Sequence, residues 1–398
     1  MPLKVVVAGG GVMGAAAACF LARDHGAAVS VVERDLGFAR ASSALSASSI
    51  RVQFSQPANI ALSRWSLAFL RRAGDELAVG DERPAIGLVE PGYLYLATAA
   101  VADALRARHA VQRGAGAAVV MLDPPALRVR WPWLAADDLA LGTLGLSTAD
   151  SGEGWFDGPA LHQAFRRKAV ACGVRFVEAQ VSAFDTAGDR VDAVRTADGG
   201  RLACDALLLA AGAWSAPLAA ALGVELPVAP KKRDVFFVES PAVLPGCPLV
   251  IDPSGVWFRP EGRGYLTGAP PRQPWPGDPD EPPLEAVDHG LFDEFIWPRL
   301  AARVPAFEAL RVRSAWAGYY EMNAFDHNGL AGRLPGWGNA WTACGFSGHG
   351  MQQAPAVGAA LAAAIAGHAP PDPALTAIAA LDPGRIAAGR PLREDNVI

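Results

Sequence analysis

The hydrophobic positions of this chain fall into two kinds of run. In the first, polar residues are missing altogether. Val5-Val6-Val7 is β-branched and continuous, as a strand buried on both faces requires. A small-residue, helix-favouring segment follows at Ala15 to Ala22, then a β-branched run at Val29 to Val32, and together they predict a βαβ unit. Later come an amphipathic helix over Pro159 to Cys172, a strand at Val174 to Val177, and hairpins around Gly188 and Asp198-Gly199-Gly200. Another apolar strand is expected at Ala206 to Ala211. A last piece repeats the theme, with a strand at Ala340 to Ala343, a glycine turn and a helix from about Gln353.

In the second kind of run the pattern alternates, as in Gly92-Tyr93-Leu94-Tyr95-Leu96 and Gly255-Val256-Trp257-Phe258-Arg259. Residues 81–149 and 225–327, where these lie, are rich in aromatics and prolines and predict an antiparallel sheet with helices beside it. Pro270 to Pro283 predicts a surface loop. The expected fold class is α/β. A Rossmann-like, GxGxxG dinucleotide domain would be assembled from residues 1–80, 150–224 and 328–398. A second, α+β domain built on an antiparallel sheet would come from residues 81–149 and 225–327.

Composition narrows the function. At 398 residues the chain exceeds one ordinary core, and 51% hydrophobic against 19% charged residues excludes a disordered chain. A net charge of -5 has the wrong sign for nucleic-acid binding, and the run Lys231-Lys232-Arg233 reads as a solvated strand edge. Cys19, Cys172, Cys204, Cys247 and Cys344 form no C-x-x-C pair and are odd in number. That argues against a disulfide framework or zinc site and predicts a reducing compartment, the cytoplasm. The strand-like run from Lys4 to Ala8 leaves no room for a cationic leader. Ala354 to Ala366, carrying Pro355 and Gly358, reads as a packed helix and not a membrane span.

The chemistry sits in the glycine turns. Gly9-Gly10-Gly11-Val12-Met13-Gly14 follows a strand and opens a helix, the setting in which G-x-G-x-x-G binds a dinucleotide. Gly9 permits the tight turn, Gly11 lets backbone approach the pyrophosphate, and Gly14 lets helix and strand pack closely. The helix N-terminus offers N–H groups and a positive dipole end. Glu33, ending the second strand, would accept hydrogen bonds from the ribose hydroxyls. The motif alone leaves FAD and NAD both open. Two further turns favour a long cofactor lying across the sheet. They are Ala210-Ala211-Gly212-Ala213-Trp214-Ser215 and Gly345-Phe346-Ser347-Gly348-His349-Gly350-Met351-Gln352-Gln353.

These stretches, with Ser42-Ser43, resemble the D-amino-acid oxidase superfamily of FAD enzymes, and within it the sarcosine oxidase and dimethylglycine dehydrogenase branch. Ile50 to Ser55 and Ala317-Gly318-Tyr319-Tyr320-Glu321 further resemble the mitochondrial FAD-dependent oxidoreductase domain-containing proteins and their bacterial relatives. The resemblance implies hydride transfer from the carbon alpha to nitrogen of a small amine or amino acid onto flavin N5. It implies cofactor contacts from Gly9, Gly11, Val12, Met13, Gly14, Glu33 and Arg34, then Ser42, Ser43 and Val181. Ala211, Gly212 and Trp214 would add to these, as would Gly345, Gly348, His349, Gly350 and Met351.

On the substrate side Arg51 stands among Ser48, Ser49, Ile50 and Val52, and its guanidinium suits a carboxylate unless an acid elsewhere claims it. Tyr320 matches a position lining the active site of sarcosine oxidases, with a packed interdomain tyrosine as the other reading. Arg259 is a second, weaker candidate for a carboxylate ligand. His349 reads as a cofactor contact or structural residue, not a base. His327 and Asp326, as neighbours on a strand, would point to opposite faces. Gly318 replaces the cysteine that bonds flavin covalently in sarcosine oxidases, so FAD is expected to be non-covalent. Gln352 replaces their substrate lysine, which puts sarcosine itself in doubt. Leu266 takes the place of the lysine that activates oxygen, so a dehydrogenase is favoured, with an acceptor protein or quinone as electron partner. Two rivals remain. One is a NAD-dependent dehydrogenase; the other is a flavoprotein partner subunit or assembly factor with little turnover of its own.

Overall fold

A computed structural model describes residues 1–271 and 283–396. Most of the proline-rich run expected as a loop, residues 272–282, lies outside them. Two large sheets organise the chain. The first has six strands in the spatial order Leu330–Arg333, Ala340–Cys344, Ala206–Leu209, Lys4–Ala8, Ala28–Glu33 and Arg175–Glu178. All neighbours are parallel except the first pair. The continuous apolar runs end up here because both faces are covered. On one face Val5, Val7, Val29, Val31 and Leu208 meet the helices Val12–His25, Gly158–Ala171 and Gly350–Ile365. On the other face Val6, Ala8, Val32, Leu207 and Leu209 meet Val191, Val194 and Cys204 of a three-stranded sheet. That small sheet holds the two predicted hairpins, with Gly188 and Gly199 at positive φ in its turns.

The second sheet has eight strands drawn from residues 93–145 and 228–323. It is antiparallel except for one pair, since Leu249–Ile251 runs parallel to Tyr93–Thr98. Its alternation is the period of a half-buried strand put to use. Leu94, Phe236, Val238, Val250 and Phe258 face outward onto Leu291, Phe292, Ile296, Leu300 and Phe307 of an irregular helical segment. Their neighbours Tyr93, Val235, Leu249, Ile251 and Trp257 face a cavity between the two sheets.

Three details correct or extend the expectations from sequence. Lys231-Lys232-Arg233 is not a solvated edge. It lies inside the strand Val228–Glu239, which pairs with Gly264–Gly268 on one side and Arg311–Asn323 on the other. The Ala-rich C-terminal helix starts at Gly350, earlier than Gln353, and is buried almost throughout. No helix among the described residues is long and apolar enough to cross a membrane. A helix over Pro57–Leu70, which the pattern reading did not single out, packs against that C-terminal helix.

The helices Val12–His25 and Gly350–Ile365 touch along their small-residue faces, and both aim their N-termini at the cavity. A Cβ at Gly358 would stand 2.9 Å from the Ala16 Cβ and 3.0 Å from the Ala17 nitrogen. Gly358→Val should therefore destabilise the fold by about 1–3 kcal/mol through overpacking. Urea denaturation should show a lower midpoint at unchanged slope.

Candidate functional site

The parallel strands all end on the same side of the sheet, where an open α/β sheet places its ligand crevice. Gly9 to Met13, Glu33 to Asp35, Ala210 to Gly212, and Ser347 to Gln352 meet there around a cavity of about 540 Å³. The second sheet closes the far side with Tyr93, Arg233, Trp257, Arg259 and Tyr320.

The dinucleotide end is built from backbone approach. Gly9 sits at φ +104°, and a Cβ there would lie 2.4 Å from the Ala210 carbonyl oxygen. The first and second glycine turns thus touch directly. The Gly10 nitrogen donates to Glu33 Oε2 at 2.7 Å, and the Asp35 nitrogen to Glu33 Oε1 at 3.2 Å. Glu33 is therefore fixed against the turn at the cavity wall. Ser43 Oγ accepts from the Val12 nitrogen at 2.9 Å, and Ser42 Oγ donates to the Tyr319 carbonyl at 2.7 Å. This ties the turn to the second sheet. Arg34 lies 3.8 Å over the Trp214 ring, and Val181 lines the same end.

His162 is a residue that sequence reading missed. It is buried, its Nε2 donates to the Gly10 carbonyl at 2.8 Å, and burial pulls its pKa down to about 4. A neutral imidazole thus pins the glycine turn from behind. Its position on the sheet-facing side of the predicted helix was the available signal.

The other end carries charge. Arg51 is buried on the wall, with its guanidinium 3.9 Å over the Phe54 ring. It donates to the carbonyls of Gln53, at 2.8 Å, and Asn396. Its own backbone nitrogen donates to Gln352 Oε1 at 2.7 Å, which brings two predicted site residues together. A buried scaffold holds this extended segment, which follows the short strand Ser49–Ile50. Glu153 accepts from the backbone nitrogens of Val52, at 2.7 Å, and Gln53, at 2.9 Å, and burial raises its pKa to about 7. From the C-terminal segment, Glu394 accepts from the Ser55 nitrogen at 2.9 Å, and Asn396 Nδ2 donates to the Gln53 carbonyl at 2.7 Å.

Tyr320 lies against Gly348, where a Cβ would meet its ring at 2.4 Å. Arg233 sits over that ring with 4.9 Å to the centroid. Arg259 is buried and donates to the Ala47 carbonyl at 2.8 Å, but its charge is already matched by Glu261. Glu321, another residue the sequence did not single out, accepts from the Phe346 nitrogen at 3.3 Å, and burial raises its pKa to about 7. Arg233 was legible in principle, since it shares strand parity with Val235.

Several predicted residues stand off the wall. The space beside Gly14 is filled by the Gly9 carbonyl, 2.0 Å from a built Cβ, which is close helix–strand packing. Gly345 is boxed in by Val228 and Asn323. His349 points into the interior between Phe54 and Phe346, and burial holds its imidazole well below the usual range. It is neutral there and faces no cavity. Asp326 is bound by Arg385 at 2.8 Å and sits in a turn, not a strand, so it forms no catalytic pair with His327. Leu266 is buried in the sheet and off the wall. The position matched to the oxygen-activating lysine is thus not on the wall, and Arg233 places a positive charge there from the neighbouring strand.

Comparison with known proteins agrees with this geometry. The profile of the family described as "FAD dependent oxidoreductase" matches residues 4–364. FAD-dependent oxidoreductase domain-containing protein 1 of Xenopus laevis is 41% identical over 399 residues, covering 91% of this chain and 78% of that protein. Glycine oxidase of Geobacillus kaustophilus is 32% identical over 244 residues, covering 60% of this chain and 62% of its own. Among solved structures, L-proline dehydrogenase from P. horikoshii superposes with a TM-score of 0.83 at 23% identity, over 98% of this chain and 100% of that one.

The cavity fits FAD on its own terms. It runs from Glu33 past the Gly9–Met13 turn and Gly212 to Gly348 and Met351, and at Gly9 a side chain would push the Ala210 carbonyl away and open the turn. Glu33→Ala should weaken FAD binding roughly 10- to 100-fold, the loss of about 1.5–3 kcal/mol of charged hydrogen bonding. Fluorescence titration of the apoprotein measures this. The flavin should leave the polypeptide on acid precipitation, because Gly318 offers no sulfur to hold it.

Proposed function

Since this chain belongs to the FAD dependent oxidoreductase family, we propose that it oxidises the C–N bond of a small amino acid or N-alkyl amino acid to an imine. The observation that carries this is one cavity with a dinucleotide turn at one end. At the other end stands Arg51, a buried guanidinium with no carboxylate partner among the described residues. A bound FAD, held by the Gly9–Met13 turn and Glu33, would supply the hydride acceptor for the substrate carbon. The nitrogen loses its proton to water, and water then adds to the imine to release an oxo acid and an amine. The names glycine oxidase and L-proline dehydrogenase, carried by relatives in sequence and in fold, support an amino acid as substrate.

The residues of this chain bind and orient. Arg51 grips the carboxylate in two-toothed fashion, and Gln352 fixes the backbone from which it reaches. Tyr320 and the covering sheet hold the carbon–hydrogen bond in place and keep water out. No base is needed, because the lone pair of a neutral amine assists departure of the hydride. For the electrons the reading is a dehydrogenase that passes them to an acceptor protein or quinone; it rests on the resemblance that matches Leu266 to the oxygen-activating lysine, and Arg233 on the wall is the charge to test against it. A cytoplasmic setting suits the five unpaired cysteines.

Anaerobic mixing with an amino acid should bleach the bound flavin, and a chain whose flavin no amine reduces is not this enzyme. Arg51→Met should lower kcat/KM on a carboxylate substrate roughly 100-fold or more, from about 3 kcal/mol. It should matter far less for an amine without the carboxylate; equal losses on both would make Arg51 structural. After substrate reduction, stopped-flow mixing with aerated buffer should reoxidise the flavin far more slowly than a phenazine dye does. Oxygen keeping pace with turnover would make it an oxidase, and loss of that rate in Arg233→Met would place the activating charge there.

A further inference from the structure

The substrate end of the cavity holds more positive charge than one carboxylate needs. Arg51 and Arg233 reach its wall from opposite sides, one from the segment beside the C-terminal helix and one from the covering sheet. Neither makes an ion pair among the described residues. Arg51 donates to two backbone carbonyls. Arg233 donates to the Lys232 carbonyl at 3.0 Å, and its Nε is buried with no partner. The acids nearby do not answer for it. Asp234 lies beside Lys232 at 3.7 Å, and burial pushes its pKa up. Glu261 is matched to Arg259. Between the two free guanidinium groups stands Tyr320, whose hydroxyl feels both charges. Two guanidinium groups on one cavity wall, Arg51 buried and Arg233 half-buried, are costly without counter-charges, and the arrangement holds together best when two anionic groups arrive with the ligand.

Resting on the reading of the site as an amino-acid oxidising one, we propose that Arg51 and Arg233 form a two-armed clamp and that the substrate is an amine bearing two carboxylates. One carboxylate sits on Arg51 and the other on Arg233, with the reacting C–N bond held between them near Tyr320. An acidic amino acid or an N-carboxymethyl amino acid has this shape. A monocarboxylate leaves one guanidinium unanswered. Arg233 is thus a specificity-determining residue, and Arg259, already neutralised, is not.

The test uses the holoenzyme and reads binding, not turnover. The absorbance of the bound oxidised flavin is titrated with succinate and glutarate, and with acetate and butyrate, at constant ionic strength. The dicarboxylates should bind at least tenfold more tightly. Arg233→Met should abolish that preference while leaving the monocarboxylate Kd within about twofold, and Arg233→Lys should restore part of it. Equal affinity for both classes, or a preference that survives Arg233→Met, overturns the clamp. So does a flavin reduction potential that drops in Arg233→Met with dicarboxylate binding untouched, since Arg233 would then serve the cofactor. If Arg233→Met does not fold, Arg233→Gln in place of methionine carries the same comparison. The two readings fail separately. Dicarboxylates held through Arg233, with no amine able to reduce the flavin, would leave the clamp standing and remove the oxidation. Reduction by glycine or alanine without any dicarboxylate preference would do the reverse.

Discussion

Everything at this site depends on how closely backbone approaches backbone at the end of the first strand. The Ala210 carbonyl occupies the place where a Gly9 side chain would be, and the Gly9 carbonyl occupies that of Gly14. These contacts draw two strand ends and one helix start into a single edge. The helix then meets Gly358 of the C-terminal helix, where a Cβ would stand 2.9 Å from that of Ala16. Remove any of these glycines and the helix N-termini no longer converge on one ligand. Gly10 plays a different part, since its two polar groups are taken by Glu33 and His162 from opposite sides.

The sequence made this half of the molecule readable because its cause is local. A continuous β-branched run, a glycine turn and a small-residue helix each announce themselves within a dozen residues, and the strands appeared where the runs predicted. The fold class was legible for the same reason. The wall over the cavity was less so. Alternation in Tyr93 to Leu96 and Val256 to Arg259 revealed strands, but not which partners they would take, so the parallel pairing of Leu249–Ile251 with Tyr93–Thr98 was not foreseen. Register decides which charges face inward. Lys231-Lys232-Arg233 looked like solvent-facing basic residues because no local feature shows that this strand pairs with Gly318–Tyr320 and turns Arg233 onto the cavity while Lys232 is buried. His349 looked like a cofactor contact because it lies between two residues that do reach the wall, Gly348 and Gly350. The helix begins there, and its ring swings into the interior.

Buried ionisable groups mark both walls. Glu153 and Glu321, each raised to about 7 by burial, brace the segment of Arg51 and the Gly345–Gly350 turn. Neither makes an ion pair among the described residues; Glu153 accepts from two backbone nitrogens and the Gln53 amide, and Glu321 from a backbone nitrogen. This suits a scaffold more than a reactive acid, because the groups that accept those hydrogen bonds are committed before any ligand enters.

The Arg51 segment is also held from far along the chain. Glu394 and Asn396 grip Ser55, Gln53 and the guanidinium itself across more than 330 positions of sequence. A ribosome making this protein releases the Arg51 segment more than 330 residues ahead of the groups that hold it. Both ends of the cavity therefore wait on distant residues, the cofactor end for the helix Gly350–Ile365 and the substrate wall for residues 394–396. Contacts of such long range are slow to close. A chain cut short of Glu394 would keep its glycine turns yet leave the Arg51 guanidinium and the backbone around it without these distant partners.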